Sequence, residues 1–405
     1  MLQFVTMVNA ILWIGFLFLA SMALVLIDMI FLDRIPFVRN IKISYGTASS
    51  SDPSKIYTSP VIINDLISIS PDDKVVANYT SIPHFQFYEK IIAEKTGKRV
   101  PTGTVPQNFR LFAAYKFPEQ ITVTTASHGR YGDPVYCRYF DDELHEVAKP
   151  FKSVLFPKYS IFCLRRDEAT FISLSESHSG NYTYPVPILD RTFDAPRYFF
   201  SVCLAPIYGP EPKWLLLSEF IEHYKIQGAT HFYIYVREID EYDTIVLNDY
   251  VRTGDAEVVH FRNAYIESIV DWHRMEIQDC LTRAKRHSQW VAFVDLDERL
   301  TPTNYSGILQ DYLRNISDPL IGGIQFRQRW ILKNDTMPLK YKDDNQTATY
   351  MPTLRYHNTS HVGPVGHTAK CIVDPLKVLM MEIHFPDKFY DNYTLYRLEP
   401  EVGVV

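Results

Sequence analysis

No excess of basic charge runs through this sequence. Its 41 Lys and Arg are outnumbered by 47 Asp and Glu, for a formal net charge of −6, which excludes the electrostatic footprint of a nucleic-acid binder. No fixed-period repeat or low-complexity tract is present, so solenoid and propeller arrays are excluded as well. Cysteine is scarce. Cys137, Cys163, Cys203, Cys280 and Cys371 are the 5 in 405 residues, and none forms a C-x-x-C pair, so zinc-ribbon and dithiol redox chemistry lack their usual signature. The five thiols fit a lumenal protein with one or two disulfides and one thiol left over, with the pairing open. Charge is missing altogether from Leu2 to Ile27.

Phe4–Ile27 is dominated by Ile, Leu, Val, Phe, Met and Ala. As a helix these residues would span about 36 Å, enough to cross a bilayer with some tilt. A cleaved signal peptide has a shorter apolar region of about 7–15 residues. The expectation is a cytosolic tip and single transmembrane anchor over residues 1–32 and a stem over 33–105. Arg34, Arg39 and Lys42 follow the span, and the positive-inside bias would put the body in the cytosol. Against them stand eight Asn-x-Ser/Thr glycosylation acceptors, at Asn78, Asn181, Asn304, Asn315, Asn334, Asn345, Asn358 and Asn392. They take 8 of the 14 asparagines, where chance gives about two. The acceptors outweigh three charges and predict a type II protein with a lumenal body.

Within that body, RLFAAYKF, QITVTTAS, PVYCRYF, SVLFPKYSIFCL and ATFISLS are β-branched and aromatic runs separated by turn residues, which predicts a small β-rich subdomain over 106–195. The pattern changes near Arg197. The apolar strand RYFFSVCLAPIYG leads into a helix whose Trp214, Leu217, Ile221 and Tyr224 share one face. Pro212 suits that helix's first turn and Gly228 its end. The strand HFYIYV, a helix over IVLNDYVRTG, the strand AEVVHF, a helix from about His273 to Arg286 and the strand WVAFVDLDE follow. This alternation over 196–405 predicts an α/β domain built on a mostly parallel sheet with helices on both faces. Ligands bind at the carboxyl ends of such strands, where Asp295 and Asp297 fall.

Carboxylates ending a buried strand lose hydration and repel one another, so they usually need a cation or polar ligand. An EF-hand loop requires glycine at its sixth position and an acid at its twelfth, but Leu300 and Ser306 stand there. A solvated turn would explain the charge but not its place after so apolar a strand. A divalent metal with a diphosphate ligand explains both, because hard carboxylate oxygens suit Mg²⁺ or Mn²⁺. Asp-x-Asp on an extended strand also directs both side chains to one side.

The ordered set SVCLAPIYG, W-x4-EFIEHYKIQGATHFYIYV, DCLTRAKRHSQWVAFVDLDERL and HTAKCIVDPLKVLMMEIH resembles glycosyltransferase family 92 over roughly residues 105–400. The resemblance implies a Golgi-anchored GT-A-like, Rossmann-related domain. Its activity would be inverting transfer of a hexose, galactose from UDP-galactose, to a glycan acceptor on a glycoprotein, with Mn²⁺ or Mg²⁺ as cofactor. Position by position, Asp295, Asp297 and His384 match the metal set. Asp297 is the first ligand, and Asp295 also reaches the ribose or a metal-bound water. Tyr208, Arg237, Asp295, Glu298 and Lys370 form the donor-binding set, Tyr208 by base stacking and Arg237 by phosphate contact. Plainer roles stand beside these: a structural histidine at His384, Glu298 pairing with Arg299, and Lys370 at the surface. The catalytic base is open, with Asp335, Asp343 and Asp344 in a polar loop that could border the acceptor. His357 and His361 are expected in a loop rather than as a helical metal pair, and Gly363–Gly366 lacks the context of a phosphate loop. The family continues past a segment like PEVGVV into a His-Tyr-Arg motif, and this sequence stops there. The competing expectation is therefore a catalytically silent relative that binds or scaffolds glycans.

Overall fold

The structure, a computed structural model, describes residues 110–405 apart from 127–131, 158, 183, 262–268 and 334–335. The expected anchor and stem, Asn78, Asn334 and Asp335 lie outside the described residues. Among the described residues no helix is long and apolar enough to cross a membrane.

Seven strands come first: β1 (Arg110–Lys116), β2 (Gln120–Ala126), β3 (Pro134–Phe140), β4 (Phe151–Val154), β5 (Ser160–Leu164), β6 (Phe171–Ser175) and β7 (Val186–Asp190). They form one sheet in the order β4-β3-β6-β7-β1-β2-β5, antiparallel except where β1 and β7 run parallel. Val123, Val135, Ile161 and Leu174 are fully or almost fully buried in its core. A disulfide between Cys137 on β3 and Cys163 on β5 crosses that core.

The second sheet uses β8 (Tyr198–Ile207), β9 (His231–Val236), β10 (Ala256–His260) and β11 (Ser288–Val294). Short β12 (Thr301–Pro302) precedes β13 (Ile321–Phe326), β14 (Lys370–Val373), β15 (Val378–Met381), β16 (Pro386–Phe389), β17 (Thr394–Arg397) and β18 (Gly403–Val404). Its order is β10-β9-β8-β11-β14-β13-β17. Every residue of β9 is buried, as expected of a central strand covered on both faces. The sheet is mixed, with four of its six strand pairings parallel and two antiparallel. β10, β9, β8 and β11 are parallel neighbours, but β14 enters antiparallel to both β11 and β13. The long excursion between β13 and β14 returns the chain from the opposite end, so no crossover helix imposes parallel pairing.

The helices are α1 (Trp214–Ile226), α2 (Glu241–Arg252), α3 (Ile269–Ala284), α4 (Leu309–Arg314), α5 (Asp344–Tyr350) and α6 (Pro352–Arg355). On α1, Trp214, Leu217, Ile221 and Tyr224 are buried, as their spacing predicts. Pro212 stands one residue before the N-cap Lys213, outside the first turn. Gly228 adopts φ +90° just past the helix, and a Cβ there would lie 2.4 Å from the Cβ of Gln310, so both conformation and space require glycine. Asp240 caps α2 by accepting a hydrogen bond from the Asp243 amide at 2.7 Å.

Helix α3 joins the sheets. The buried Asp279 carboxylate accepts bonds from Tyr115 of β1 at 2.8 Å, Thr124 of β2 at 2.6 Å and Tyr235 of β9 at 2.6 Å. Arg283, one turn on, donates to the same carboxylate at 3.2 Å and also to Glu257 of β10. A second disulfide, Cys203–Cys280, ties α3 to β8, and Cys371 remains a buried free thiol.

Candidate active site

The carboxyl ends of β8, β9 and β11 open onto a cleft of about 290 Å³, near the lower end of the usual size for ligand pockets. Four sequence-predicted residues line it together: Tyr208 past β8, Arg237 past β9, and Asp295 and Asp297 past β11. Lys213, Trp272 and His273 complete the wall and were not singled out from sequence. The Arg237 guanidinium lies 5.1 Å from the centre of the Trp272 ring, a cation–π distance.

The acidic segment is a turn, not an extended continuation of the strand. β11 ends at Val294, and the Glu298 amide closes back on the Asp295 carbonyl at 3.0 Å. The two aspartates thus reach one cleft from a turn rather than through the period-two alternation of a strand. Asp297 is 60% exposed and meets Lys333 at 3.5 Å. Asp295 faces inward, with Lys370 Nζ at 2.8 Å and His273 Nε2 at 3.6 Å.

Lys370 is 1% exposed, so it is not a surface lysine. Its ammonium bridges Asp295 and, at 3.1 Å, Glu298. Glu298 is 8% exposed and accepts the Asp295 amide at 2.8 Å, while Arg299 pairs with Glu219 at 3.2 Å instead. Glu298 and Lys370 thus lie behind the cleft-lining residues and fix the turn. Burial opposes the charge on Asp295, but Lys370 and His273 outweigh it and hold this carboxyl below the usual range. Burial also opposes the charge on Lys370, and Glu298 and Asp295 reverse it, raising this ammonium. Burial, reinforced by Asp295, pushes Glu298 up to about 7. Burial lowers His273 to about 4, against the pull of Asp295, so its ring is neutral at neutral pH. Glu276, buried one turn along α3, is raised well above the usual value by burial and by Asp295.

His384 follows β15 and donates from Nδ1 to the Ala369 carbonyl at 3.1 Å. That leaves Nε2 as the unprotonated nitrogen, the arrangement a metal-ligating histidine takes. The open carboxylate at Asp297 and the second at Asp295 suit a divalent cation, and His384 offers an imidazole lone pair but is not among the residues lining the cleft. The three do not form one of the compact triplets, with ligand atoms within 4.8 Å of one another, found among the described residues. Mg²⁺-type ions commonly take one or two carboxylates and complete their shell with water and phosphate oxygens. Of the compact triplets, Cys203–Glu276–Cys280 is spent on a disulfide. In His231–Glu257–His287 the carboxylate already meets Arg283 and Arg191.

The polar-loop acids serve the loop itself: Asp343 caps α5 through the Gln346 amide at 2.8 Å, and Asp344 accepts the Tyr341 hydroxyl at 2.8 Å. His357, His361 and Gly366 lie outside helices and strands. Asn181, Asn304, Asn315, Asn345, Asn358 and Asn392 are all exposed.

Fold and cleft together define an α/β protein with a mixed acidic, basic and aromatic ligand site at the carboxyl ends of its parallel strands. The family profile of Glycosyltransferase family 92 matches residues 198–405. The chain belongs to glycosyltransferase family 92. Among curated relatives, Glycosyltransferase family 92 protein F13G3.3 of Caenorhabditis elegans is 27% identical over 217 residues, covering 50% of this chain and 40% of the relative. Beta-1,4-galactosyltransferase galt-1 of Caenorhabditis elegans is 24% identical over 220 residues, covering 49% of this chain and 51% of the relative. The chain thus spans about half the length, or less, of these curated relatives. A solved structure titled as mannosyltransferase PcManGT from Pyrobaculum calidifontis, in complex with GDP-Man and Mn2+, overlaps 34% of this chain and 39% of its own at 15% identity, with a TM-score of 0.25.

Proposed function

We propose that this glycosyltransferase has a GT-A-type domain and moves galactose from UDP-galactose to a glycan acceptor with inversion. The observation that carries the reading is the cleft at the strand ends, where Asp297 stands exposed among Lys213, Arg237, Tyr208 and Trp272. Cations suit a diphosphate, and aromatic rings suit a uracil base. Galactose is favoured over other hexoses by the name of the galactosyltransferase relative.

In this reading Tyr208 stacks on the base, and Arg237 and Lys213 face the diphosphate. Asp297, with Asp295 and His384, would hold Mn²⁺ or Mg²⁺. The ion supplies charge neutralisation for a departing nucleoside diphosphate. Lys370 keeps Asp295 ionised and Glu298 fixes the turn through the Asp295 amide, so the acidic face is organised before the ligand arrives. Residues 106–195 serve as a β-rich support and 196–405 as the transferase domain. A type II Golgi placement is supported by the exposed glycosylation acceptors and the two disulfides, which suit an oxidising lumen.

A donor screen tests the proposal. The full chain is given UDP-galactose, UDP-glucose, UDP-N-acetylglucosamine or GDP-mannose with and without Mn²⁺, and nucleotide release onto glycan acceptors is followed. Release from UDP-galactose that needs Mn²⁺ is the expected result. Silence with every donor would favour the non-catalytic relative, and preference for another sugar would replace galactose.

A further inference from the structure

The segment after β13 leads an aromatic residue to the edge of the acidic turn. Gln328 approaches Glu298 at 3.5 Å and Lys333 approaches Asp297 at 3.5 Å. Trp330 lies between these two tethers and is 40% exposed. An indole this exposed to water near a ligand cleft is a large apolar surface available to a ligand.

The indole is held rather than loose. The Trp330 amide donates to Ser360 Oγ at 3.0 Å, and its carbonyl accepts the Ser360 amide at 2.9 Å. The Gly363 amide donates to the Gln328 carbonyl at 2.8 Å, and Arg327 clamps the Gly363 carbonyl at 2.7 and 3.0 Å. On its other side the segment pairs with the last residues of the sequence, through Val405 to Arg327 at 3.0 Å and Arg329 to Val405 at 3.2 Å. Gly363 is required here by close approach, since a Cβ on it would lie 2.6 Å from Trp330 Cη2. His367 meets the ring at 5.9 Å with an interplanar angle of 72°. A preorganised aromatic plane with polar neighbours such as His367 and the exposed Arg329 matches a pyranose, which pairs one apolar C–H face with a rim of hydroxyls.

We propose that Trp330 is the acceptor platform, its open indole face stacking against a pyranose ring of the acceptor glycan beside Asp297. The proposal rests on the glycosyltransferase reading and adds the acceptor subsite to it. Continuity of the Trp330 segment with the acidic turn favours a sugar over a protein partner as the occupant.

The test uses the full chain with UDP and Mn²⁺ on a printed array of neutral glycans, beside a separate UDP titration. Trp330→Ala should lower glycan signal at least tenfold, Trp330→Phe should retain most of it, and UDP affinity should stay within twofold in both. Gly363→Ala, which displaces the indole while keeping it, should also lose glycan signal without losing UDP. Equal glycan binding by wild type and Trp330→Ala would overturn the platform, as would a matching loss of UDP affinity. A wild type that binds UDP but no glycan would overturn the platform alone. A wild type that binds neither would remove the underlying reading too.

Discussion

Asp295 and Asp297 are two positions apart and do different work because the chain turns between them. Asp297 is 60% exposed and approaches the partly exposed Lys333 at 3.5 Å, a contact of small energetic weight. Asp295 belongs to a three-group cluster around an almost fully buried ammonium. Removing that ammonium leaves two carboxylates facing each other without a cation. Lys370→Met is therefore expected to cost on the order of 3–5 kcal/mol in urea unfolding, whereas Asp297→Ala should stay within about 0.5 kcal/mol. A Lys370→Met variant as stable as wild type would refute the role given to this lysine. Its importance was only partly legible in sequence. KCIV reads as one more apolar strand, and the contact with Asp295 joins residues 75 positions apart. Lys213, Trp272 and Lys333 escaped notice for the same reason, since nothing in local spacing brings them to the cleft. Tyr208 and Arg237 were legible because each directly follows an unmistakable buried strand.

At the scale of elements, the buried polar face of α3 does what apolar packing does elsewhere. Asp279 collects hydroxyls from both sheets, and Arg283 extends the network to Glu257. Burial alone would raise the Glu257 carboxyl, but His231, Arg283 and Arg191 hold it down to about 2, from the usual 4.5. A depressed folded-state value means stability that is present above pH 4.5 and lost as pH falls through about 2. Glu257→Gln is thus expected to cost on the order of 2–3 kcal/mol at pH 7, with the gap to wild type narrowing as pH falls from 4.5 toward 2. A gap independent of pH would mean that the carboxylate's charge is not what this network uses. The alternation of strands and helices revealed the elements, because buried strands and one-sided helices have distinct periods. It could not reveal direction: the short β14, buried throughout, looks alike whether it enters parallel or antiparallel. The antiparallel entry is what brings Lys370 to the turn.

Across the whole molecule, two crosslinks act at different ranges. Cys137–Cys163 closes 26 residues within the first sheet, and Cys203–Cys280 closes 77 within the second unit of structure. The longer loop constrains more of the unfolded chain, so replacing both Cys203 and Cys280 by serine should lower unfolding free energy by roughly 2–4 kcal/mol. A change below about 0.5 kcal/mol in denaturant unfolding, the scatter of a neutral surface substitution, would count against that bond in the native protein. Five cysteines in the sequence allowed one crosslink or two and named no partners, since pairing depends on how sheets and helix are laid together. The family motifs were legible as a set because three run to the carboxyl ends of β8, β9 and β11, and the fourth opens β14, whose first residue antiparallel pairing brings to the same rim.

In the proposed function the acidic turn binds a nucleotide through a divalent cation, which calorimetric titration of the full chain with UDP tests. With Mn²⁺ present, wild type should bind UDP at least tenfold more tightly than without it, and Asp297→Ala should lose that gain while remaining folded. UDP affinity that ignores both the metal and the substitution would contradict the account.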